Sequence, residues 1–140
     1  MPCEFCESIG GELLWQDRDC RVVRVRDEHY PAFCRVIWHK HVREMTDLVP
    51  PDRAWLMEVV FAVETALRDL LHPDKVNLAS LGNLTQHLHW HVIPRFISDP
   101  HFPNPIWTTR LRHVAVPVPA DLSATIGKLL AVRLGRGRVE

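Results

Sequence analysis

The sequence HLHWHVIPR, residues 87–95, decides the fold more than any other stretch of the chain. Histidine alternates strictly with apolar residues over its first six positions, and side chains at i, i+2 and i+4 of an extended strand share one face. The alternation predicts a strand that presents His87, His89 and His91 on one face and packs the residues between them into the core. Neighbouring imidazoles on such a face, about 6–7 Å apart, can surround a phosphate or a metal ion. Ordinary packing does not account for three together, because each buried polar group needs a partner.

Length and composition are those of an ordinary globular domain. The chain has 140 residues, of which 46% are hydrophobic and 24% are charged, and we expect residues 1–140 to form a single domain with its own core. Lys and Arg together number 17, as do Asp and Glu, so the formal net charge is zero. This balance argues against a nucleic acid polymer or an anionic membrane as partner. No apolar run approaches the roughly 20 residues of a membrane-spanning helix.

The N-terminal residues suggest a compartment and a possible half of a metal site. Residues 1–6 lack the basic and apolar regions of a signal peptide, so we expect a cytoplasmic protein whose four cysteines are mostly reduced. Cys3 and Cys6 form a Cys-x-x-Cys pair. A thioredoxin-like redox pair needs a preceding strand, for which there is no room. Half of a metal site fits better but needs two further ligands, and two unrelated free thiols remain the alternative.

The patterns along the chain predict an α+β fold. A long helix begins near Pro50 and runs to about Leu71, because apolar residues recur there at three- and four-residue spacing. A short helix is expected over residues 121–134. Strands are predicted at 12–15, 20–26, 33–38, 76–81 and about 87–96, with a final edge strand at 112–118. Because no βαβ alternation appears, we expect an antiparallel sheet of about five strands with the long helix packed on it and a short C-terminal helix.

The stretch 87–93 resembles the signature of the histidine triad (HIT) family, His-φ-His-φ-His-φ-φ with φ apolar, at every position. Pro94-Arg95 is also typical of that family, as are the early Cys-x-x-Cys, the long helix and the Gly82-Asn83 turn. The resemblance covers roughly residues 3–107 and is strongest to bacterial hydrolases described as diadenosine-tetraphosphate-hydrolase-like. It implies a HIT-like fold and a homodimer.

The resemblance also implies a reaction. The family cleaves nucleotides at the α-phosphate, in dinucleoside polyphosphates such as diadenosine tetraphosphate or in nucleoside phosphoramidates. Its middle histidine is the nucleophile, here His89, and His91 and His87 complete the catalytic set. A neutral imidazole is a good nucleophile, and a nucleotidyl-histidine intermediate divides hydrolysis into two easier steps. Which imidazole protonates the leaving group stays open.

Three further residues are expected to bind the substrate. Asn83 occupies the place where relatives carry an amide that contacts phosphate, and Thr85 is a second candidate by proximity. Asp27 matches the position of a residue that binds the ribose hydroxyls. A solvated turn is an equally good explanation of Asp27.

Some relatives bind structural zinc through the Cys-x-x-Cys pair, a histidine after the central strand and the first triad histidine. Transferred residue by residue, the resemblance implies zinc on Cys3, Cys6, His41 and His87, a closed tetrahedral set. This assignment leaves two triad histidines for chemistry. His39, in contrast, is expected to be a solvated strand end.

One position departs from the family pattern, and two other functions stay open. Many relatives carry a supporting histidine where Cys34 aligns, and a thiol cannot play the same charge role unless its pKa is lowered. One alternative function is a metallo-hydrolase with all three triad histidines on catalytic zinc. The other is a nucleotide-binding protein without catalysis. Trp107 is expected to be a packing or interface residue.

Overall fold

The computed structural model describes residues 2–139 and shows a five-stranded antiparallel sheet with strand order β1-β2-β3-β5-β4. The predicted α+β architecture is confirmed. The helices and strands, in chain order, are α1 (Glu4–Glu7), β1 (Glu12–Gln16), β2 (Cys20–Arg24), β3 (Cys34–Trp38), a 3₁₀ helix (Met45–Asp47), α2 (Pro50–Leu71), β4 (Lys75–Ala79), β5 (His89–Arg95) and α3 (Leu122–Leu134).

The long helix α2 has the predicted bounds. Two prolines open it, where their missing N–H groups cost no hydrogen bond. It ends at His72, which adopts a left-handed φ of +48°, and Pro73 follows. No helix within residues 2–139 is long and apolar enough to cross a membrane.

One face of the sheet carries the main core. Cys34, Val36 and Val92 belong to this cluster together with the buried face of α2 and three side chains of α3. Burying such apolar side chains contributes roughly 1.5–3 kcal/mol each, so the helical layer holds this face of the sheet firmly. The chemistry-bearing residues are therefore directed to the opposite face.

β5 lies between β3 and β4, and its register determines what surrounds the histidines. Arg35 pairs with His91, and Ile37 pairs with His89. Directly paired residues in an antiparallel ladder point to the same face. The face opposite α2 thus presents histidines next to Arg35.

The predicted edge strand at residues 112–118 is wrong. This segment pairs with none of the five strands. Its one backbone–backbone hydrogen bond within residues 2–139 runs from the Arg112 N–H to the Pro100 carbonyl at 3.0 Å. Pro117 and Pro119 lack the N–H groups that a ladder needs. The alternation of valine over these residues therefore had no partner strand to support it.

The N-terminal segment crosses the triad face. Arg21 on β2 donates hydrogen bonds to the backbone carbonyls of Phe5 (2.8 Å), Ser8 (3.1 Å) and Ile9 (2.9 Å). Gly10 turns the chain at a φ of +90°, where a Cβ would approach the Ile37 side chain to 2.9 Å. These hydrogen bonds hold α1, with Cys6 in it and Cys3 just before it, near the start of β5.

Candidate functional site

The three triad histidines are nearly covered by aromatic rings. His87, His89 and His91 are 0%, 5% and 6% exposed, respectively. The Phe5 ring lies 4.9 Å from the His89 ring, centroid to centroid, and the Phe33 ring lies 5.2 Å from the His91 ring. His89 and His91 share one face of β5 as the alternation predicts, and the aromatic rings leave only a small part of each exposed, while His87 lies at a bend just before the strand.

Backbone carbonyls determine which nitrogen of two triad histidines is free. His87 donates from Nε2 to the Trp38 carbonyl at 2.6 Å, which leaves Nδ1 with its lone pair. His89 donates from Nδ1 to the His87 carbonyl at 2.6 Å, which leaves Nε2 with its lone pair. Because each carbonyl is only an acceptor, the imidazole must supply the proton. The nitrogen without a proton is therefore Nδ1 in His87 and Nε2 in His89.

Burial disfavours the charged form of all three imidazoles. Burial lowers the pKa of His87 and of His89 below the ordinary value. Burial, followed by the nearby His89 and Arg35, lowers the pKa of His91 to about 3. The Nδ1 atom of His91 is buried and has no hydrogen-bond partner within residues 2–139. The site thus contains neutral rings with unused nitrogen atoms.

Cys3, Cys6, His41 and His87 converge at the start of β5, with four donor atoms all within 4.8 Å of one another. The two Nδ1 atoms of His41 and His87 are 3.2 Å apart. The Cys3 sulfur lies 3.4 Å from the His87 Nδ1, and the Cys6 sulfur lies 3.5 Å from His41 and 3.6 Å from His87.

These separations fit a tetrahedral zinc ion. Zinc–sulfur bonds of about 2.3 Å and zinc–nitrogen bonds of about 2.0–2.1 Å place tetrahedral N and N about 3.3–3.4 Å apart and S and N about 3.5–3.6 Å apart. The hydrogen bond from His87 Nε2 to Trp38 orients the ring, as commonly seen for metal-bound imidazoles. The cluster could therefore hold a metal ion.

His39 does not join the cluster. Its Nδ1 lies 3.0 Å from the Arg21 guanidinium, and its Nε2 donates to the Asp17 carbonyl at 3.0 Å. Both ring nitrogens are thus engaged at the end of β3. The side chain is half-buried and hydrogen-bonded, and it is not a freely solvated strand end.

Within residues 2–139, none of the three predicted substrate-binding residues hydrogen-bonds a triad side chain, and no triad residue lines the cavities beside Asn83 and Asp27. Asn83 is exposed and lines a cavity of about 210 Å³ with Arg43 and Gln86. Thr85 donates its hydroxyl proton to the Glu4 carboxylate at 3.2 Å. Asp27 borders a cavity of about 730 Å³, and one of its oxygens accepts the backbone N–H groups of His29 and Tyr30. The turn explanation of Asp27 is therefore observed, while its second oxygen makes no hydrogen bond within residues 2–139.

Cys34, which the family pattern sets beside the triad, does not lie there. Cys34 faces the α2 side of the sheet, is fully buried there and has its pKa raised to about 12 by burial. Its neighbour Phe33 contacts His91 instead. Strand alternation explains the difference, since a shift of one residue moves a side chain to the opposite face.

A buried ion pair lies at the other end of β5. Arg95 donates to both oxygens of Asp99, at 2.8 Å and 3.1 Å, and these residues are 2% and 0% exposed. Tyr30 donates its hydroxyl proton to Asp99 at 3.1 Å and lies 2.6 Å from the His101 Nδ1. Burial alone would raise the pKa of Asp99, but Arg95 and the backbone N–H groups around it hold that pKa well below its usual range. We name Tyr30, Arg95, Asp99 and His101 the Arg95–Asp99 network.

This network positions the loop that covers the triad. Arg95 also donates to the Asn104 carbonyl at 2.7 Å. The following Trp107 places its ring 5.2 Å from the His91 ring while remaining 50% exposed. Trp107 is thus a packing residue at the triad, as predicted. The sequence offered no signal for the Arg95–Asp99 network beyond the polar residues next to Pro94.

The profile of the HIT domain family matches residues 7–97. None of the curated proteins compared with the chain matches it significantly. A histidine triad protein from Sinorhizobium meliloti is 26% identical, with a TM-score of 0.72 and 96% of each chain covered. A histidine triad protein from Marinobacter aquaeolei is 26% identical, with a TM-score of 0.70 and 93% of each chain covered.

A third structure, a histidine triad protein from Bradyrhizobium japonicum, is 27% identical at a TM-score of 0.69, with 87% of this chain and 90% of that chain covered. The matched region spans β1 to β5 and the whole triad. The fold, the triad and the family profile agree, and the chain belongs to the HIT domain family.

Proposed function

We propose that the chain is a nucleotide hydrolase or transferase that cleaves at the α-phosphate of dinucleoside polyphosphates or nucleoside phosphoramidates. One observation carries this proposal: the hydrogen bond from His89 Nδ1 to the His87 carbonyl at 2.6 Å. It directs the lone pair of Nε2 away from the backbone and keeps that nitrogen available as a nucleophile.

The reaction has two steps. In the first, Nε2 of His89 forms a bond to the α-phosphorus while the bond from phosphorus to the leaving oxygen or nitrogen breaks. The leaving group takes its electron pair and a proton. In the second, a water oxygen attacks the same phosphorus and releases to solvent a proton that replaces the one taken up by the leaving group; the N–P bond breaks with its electron pair returning to Nε2, and the nucleoside monophosphate departs. An alcohol or phosphate in place of water makes the enzyme a transferase.

The residues around His89 are proposed to bind the phosphate and the ribose of the substrate. His91, with its unpartnered Nδ1, is proposed to donate to an equatorial phosphate oxygen. Asn83 and Thr85 are proposed to bind neighbouring phosphate oxygens, and Asp27 the ribose. Phe5 and Phe33 exclude water from the rings that they contact.

We propose structural zinc on Cys3, Cys6, His41 and His87. When bound, zinc supplies a cross-link between the N-terminus and β5 and takes no part in bond making. Since His87 also provides the carbonyl that orients His89, fixing His87 fixes the nucleophile.

The metallo-hydrolase alternative receives less support. Within residues 2–139, the one group of metal-capable side chains is the cluster that contains His87 without the other two triad histidines. The free nitrogen of His87 therefore lies among cysteine sulfurs, and a zinc ion shared by all three histidines would need that ring to turn.

The test is AMP release from diadenosine tetraphosphate and from adenosine 5′-phosphoramidate, measured for wild type, His89→Ala and chelator-treated protein. We expect wild type to release AMP, and the His89→Ala variant to lose at least about a thousandfold in rate. Release should persist after zinc removal as long as the protein remains folded. The faster substrate identifies whether the chain is of the diadenosine-tetraphosphate-hydrolase type.

His113→Ala is the matched control, because His113 is an exposed histidine outside all helices and strands, and it should leave release unchanged. Brief incubation followed by mass spectrometry should detect a nucleotidyl adduct on His89. If folded wild type releases AMP from neither substrate, the hydrolase proposal is wrong for these classes, and nucleotide binding without turnover gains support.

The homodimer implied by the resemblance stays a prediction. β4 is an edge strand of the sheet, and α2 exposes Phe61 at 45%. Light scattering of the purified protein should give the mass of two chains, and a monomer mass would contradict the prediction.

A further inference from the structure

Arg35 lies beside the triad on the same face of the sheet. It pairs directly with His91 across β3 and β5, and it is the one charged residue of β3. Facing cross-strand side chains have Cβ atoms about 4.5–5.5 Å apart. The guanidinium therefore extends from a position next to the reacting histidines.

Aromatic rings hold the guanidinium in place. Its Cζ lies 5.2 Å from the centre of the Phe5 ring and 5.9 Å from the centre of the Phe33 ring. These rings contact His89 and His91, respectively. Cation–π contacts of this kind keep a guanidinium in one orientation while leaving its N–H edge free for an acceptor.

Arg35 has few hydrogen-bond partners for its N–H groups. Nη1 donates to the Gly10 carbonyl at 3.0 Å, while Nε is buried without a partner within residues 2–139. Arg95, in contrast, donates hydrogen bonds from two nitrogens to Asp99. It also donates to the side-chain oxygen of Asn77 and to the Asn104 carbonyl. The guanidinium of Arg35 can therefore still bind an acceptor.

The charge of Arg35 also lacks a counter-charge. Within residues 2–139, no carboxylate oxygen lies within 4.0 Å of its nitrogens. Burial lowers the pKa of its guanidinium, while Glu4 raises that pKa from a longer range. A guanidinium nevertheless stays protonated in proteins. A partly buried cation of this kind is costly unless an anion joins it, and a phosphate oxygen would do so through short, strong hydrogen bonds.

We propose that Arg35 binds the α-phosphate of the nucleotide and is the residue by which the site distinguishes nucleotides from nucleosides. This inference deepens the proposed function and rests on it. It adds a fixed cation to a phosphate site whose other residues are neutral imidazoles and amides. Arg35 is a substrate-binding residue in this assignment, and His89 remains the nucleophile.

The test compares the affinities of AMP and adenosine by isothermal titration calorimetry for wild type, Arg35→Met and Arg35→Lys. Methionine retains the stem that packs between the rings but removes the charge. We expect Arg35→Met to weaken AMP binding by about 10- to 100-fold, the range for a hydrogen bond to a charged group, and adenosine binding by less than about twofold. Arg35→Lys should give an intermediate AMP affinity, because it keeps the charge without the two-nitrogen fork.

Arg68→Met is the matched control, because Arg68 is exposed on α2, across the sheet from the triad, and it should change neither affinity. A purely structural role of Arg35 would weaken both ligands together, and that result would overturn the inference. Equal AMP affinity in wild type and Arg35→Met would do the same. If Arg35→Met does not fold, Arg35→Lys decides: unchanged AMP affinity contradicts the inference, and a selective loss supports it.

The AMP-release assay separates this inference from the function on which it rests. Release that depends on His89, combined with AMP binding that is insensitive to Arg35, would leave the hydrolase proposal standing and refute the role of Arg35. Wild type that binds neither ligand and releases no AMP would refute both.

Discussion

β5 begins beside the cluster of Cys3, Cys6, His41 and His87 and ends in the Arg95–Asp99 network. At the first end, four donor atoms with metal-binding chemistry lie within 4.8 Å of one another. At the second end, a buried cation and a buried anion neutralise each other at 2.8 Å. The polar groups of the second end therefore satisfy one another, whereas the four donor atoms of the first end could hold a metal ion.

The two ends of β5 differ in whether their polar atoms already have hydrogen-bond partners. The carboxylate of Asp99 accepts from Arg95, Tyr30 and three backbone N–H groups, so both of its oxygens are engaged. The triad, near the first end, keeps unused nitrogens on His89 and His91. Saturated polar groups hold a structure in place, whereas unsaturated ones are available to a ligand.

The largest expected effect is at the second end. Asp99→Asn should lower the free energy of unfolding by about 3–5 kcal/mol, because it leaves the guanidinium of Arg95 buried without its counter-charge. Asp69→Asn is the control, since the Asp69–Arg133 pair is exposed and should cost less than about 1 kcal/mol. Urea denaturation of both variants measures the difference. Equal losses would mean that the buried network is no stronger than a surface ion pair.

Zinc should stabilise the first end by a similar or slightly smaller amount. Free zinc at 100- to 1,000-fold above its dissociation constant should raise the free energy of unfolding by about 2.7–4.1 kcal/mol. Chelation should remove this stabilisation in wild type and have no effect on Cys6→Ser. Denaturation with and without chelator, together with metal analysis, measures it.

His39→Gln is the control for the metal experiment, because His39 bonds Arg21 and Asp17 and lies outside the cluster. This variant should bind one zinc ion as wild type does. If Cys6→Ser also retains stoichiometric zinc, the four-ligand site is wrong.

The last expected effect is a pH dependence, about 1.4 kcal/mol per pH unit, that arises at His91, which faces His89, Arg35 and the rings of Phe33 and Trp107. Its pKa is about 3 in the folded protein and about 6.5 when unfolded. Between these values the unfolded chain binds the extra proton, so the free energy of unfolding rises with pH and reaches its full value above about pH 6.5.

Replacing His91 by Gln should reduce this dependence by about 1.4 kcal/mol per pH unit between about pH 4 and pH 6. Denaturation at several pH values measures the slope, with chelator present throughout so that release of metal does not contribute. Identical slopes for the two proteins would show that His91 titrates normally in the fold.

Two properties of the structure follow directly from local patterns. Strict alternation over residues 87–92 predicted the shared face of His89 and His91, since a strand has a period of two residues, although β5 begins at His89 and His87 lies just before it. Spacing of apolar residues over three and four positions likewise predicted α2 with correct bounds. Such patterns are reliable because each depends only on the geometry of a single element.

Position 34 and residues 112–118 show where local patterns were insufficient. The pattern around β3 did not tell which of two adjacent residues lies beside the triad: Phe33, just before the strand, contacts His91, whereas Cys34 packs on the α2 side. The valines at 114, 116 and 118 alternate as in a strand, but a strand exists only when a second strand accepts its hydrogen bonds.

The sequence alone therefore specified the fold class, the triad and the types of side chain that could hold a metal. Tertiary structure decided which of those side chains meet: Cys3 is 84 positions from His87 and Tyr30 is 69 positions from Asp99. It also decided that, within residues 2–139, Arg35 has no carboxylate oxygen within 4.0 Å of its nitrogens, whereas Arg95 has one at 2.8 Å. Charge pairing and burial depend on distances between segments remote in the chain, and no local periodicity encodes those distances.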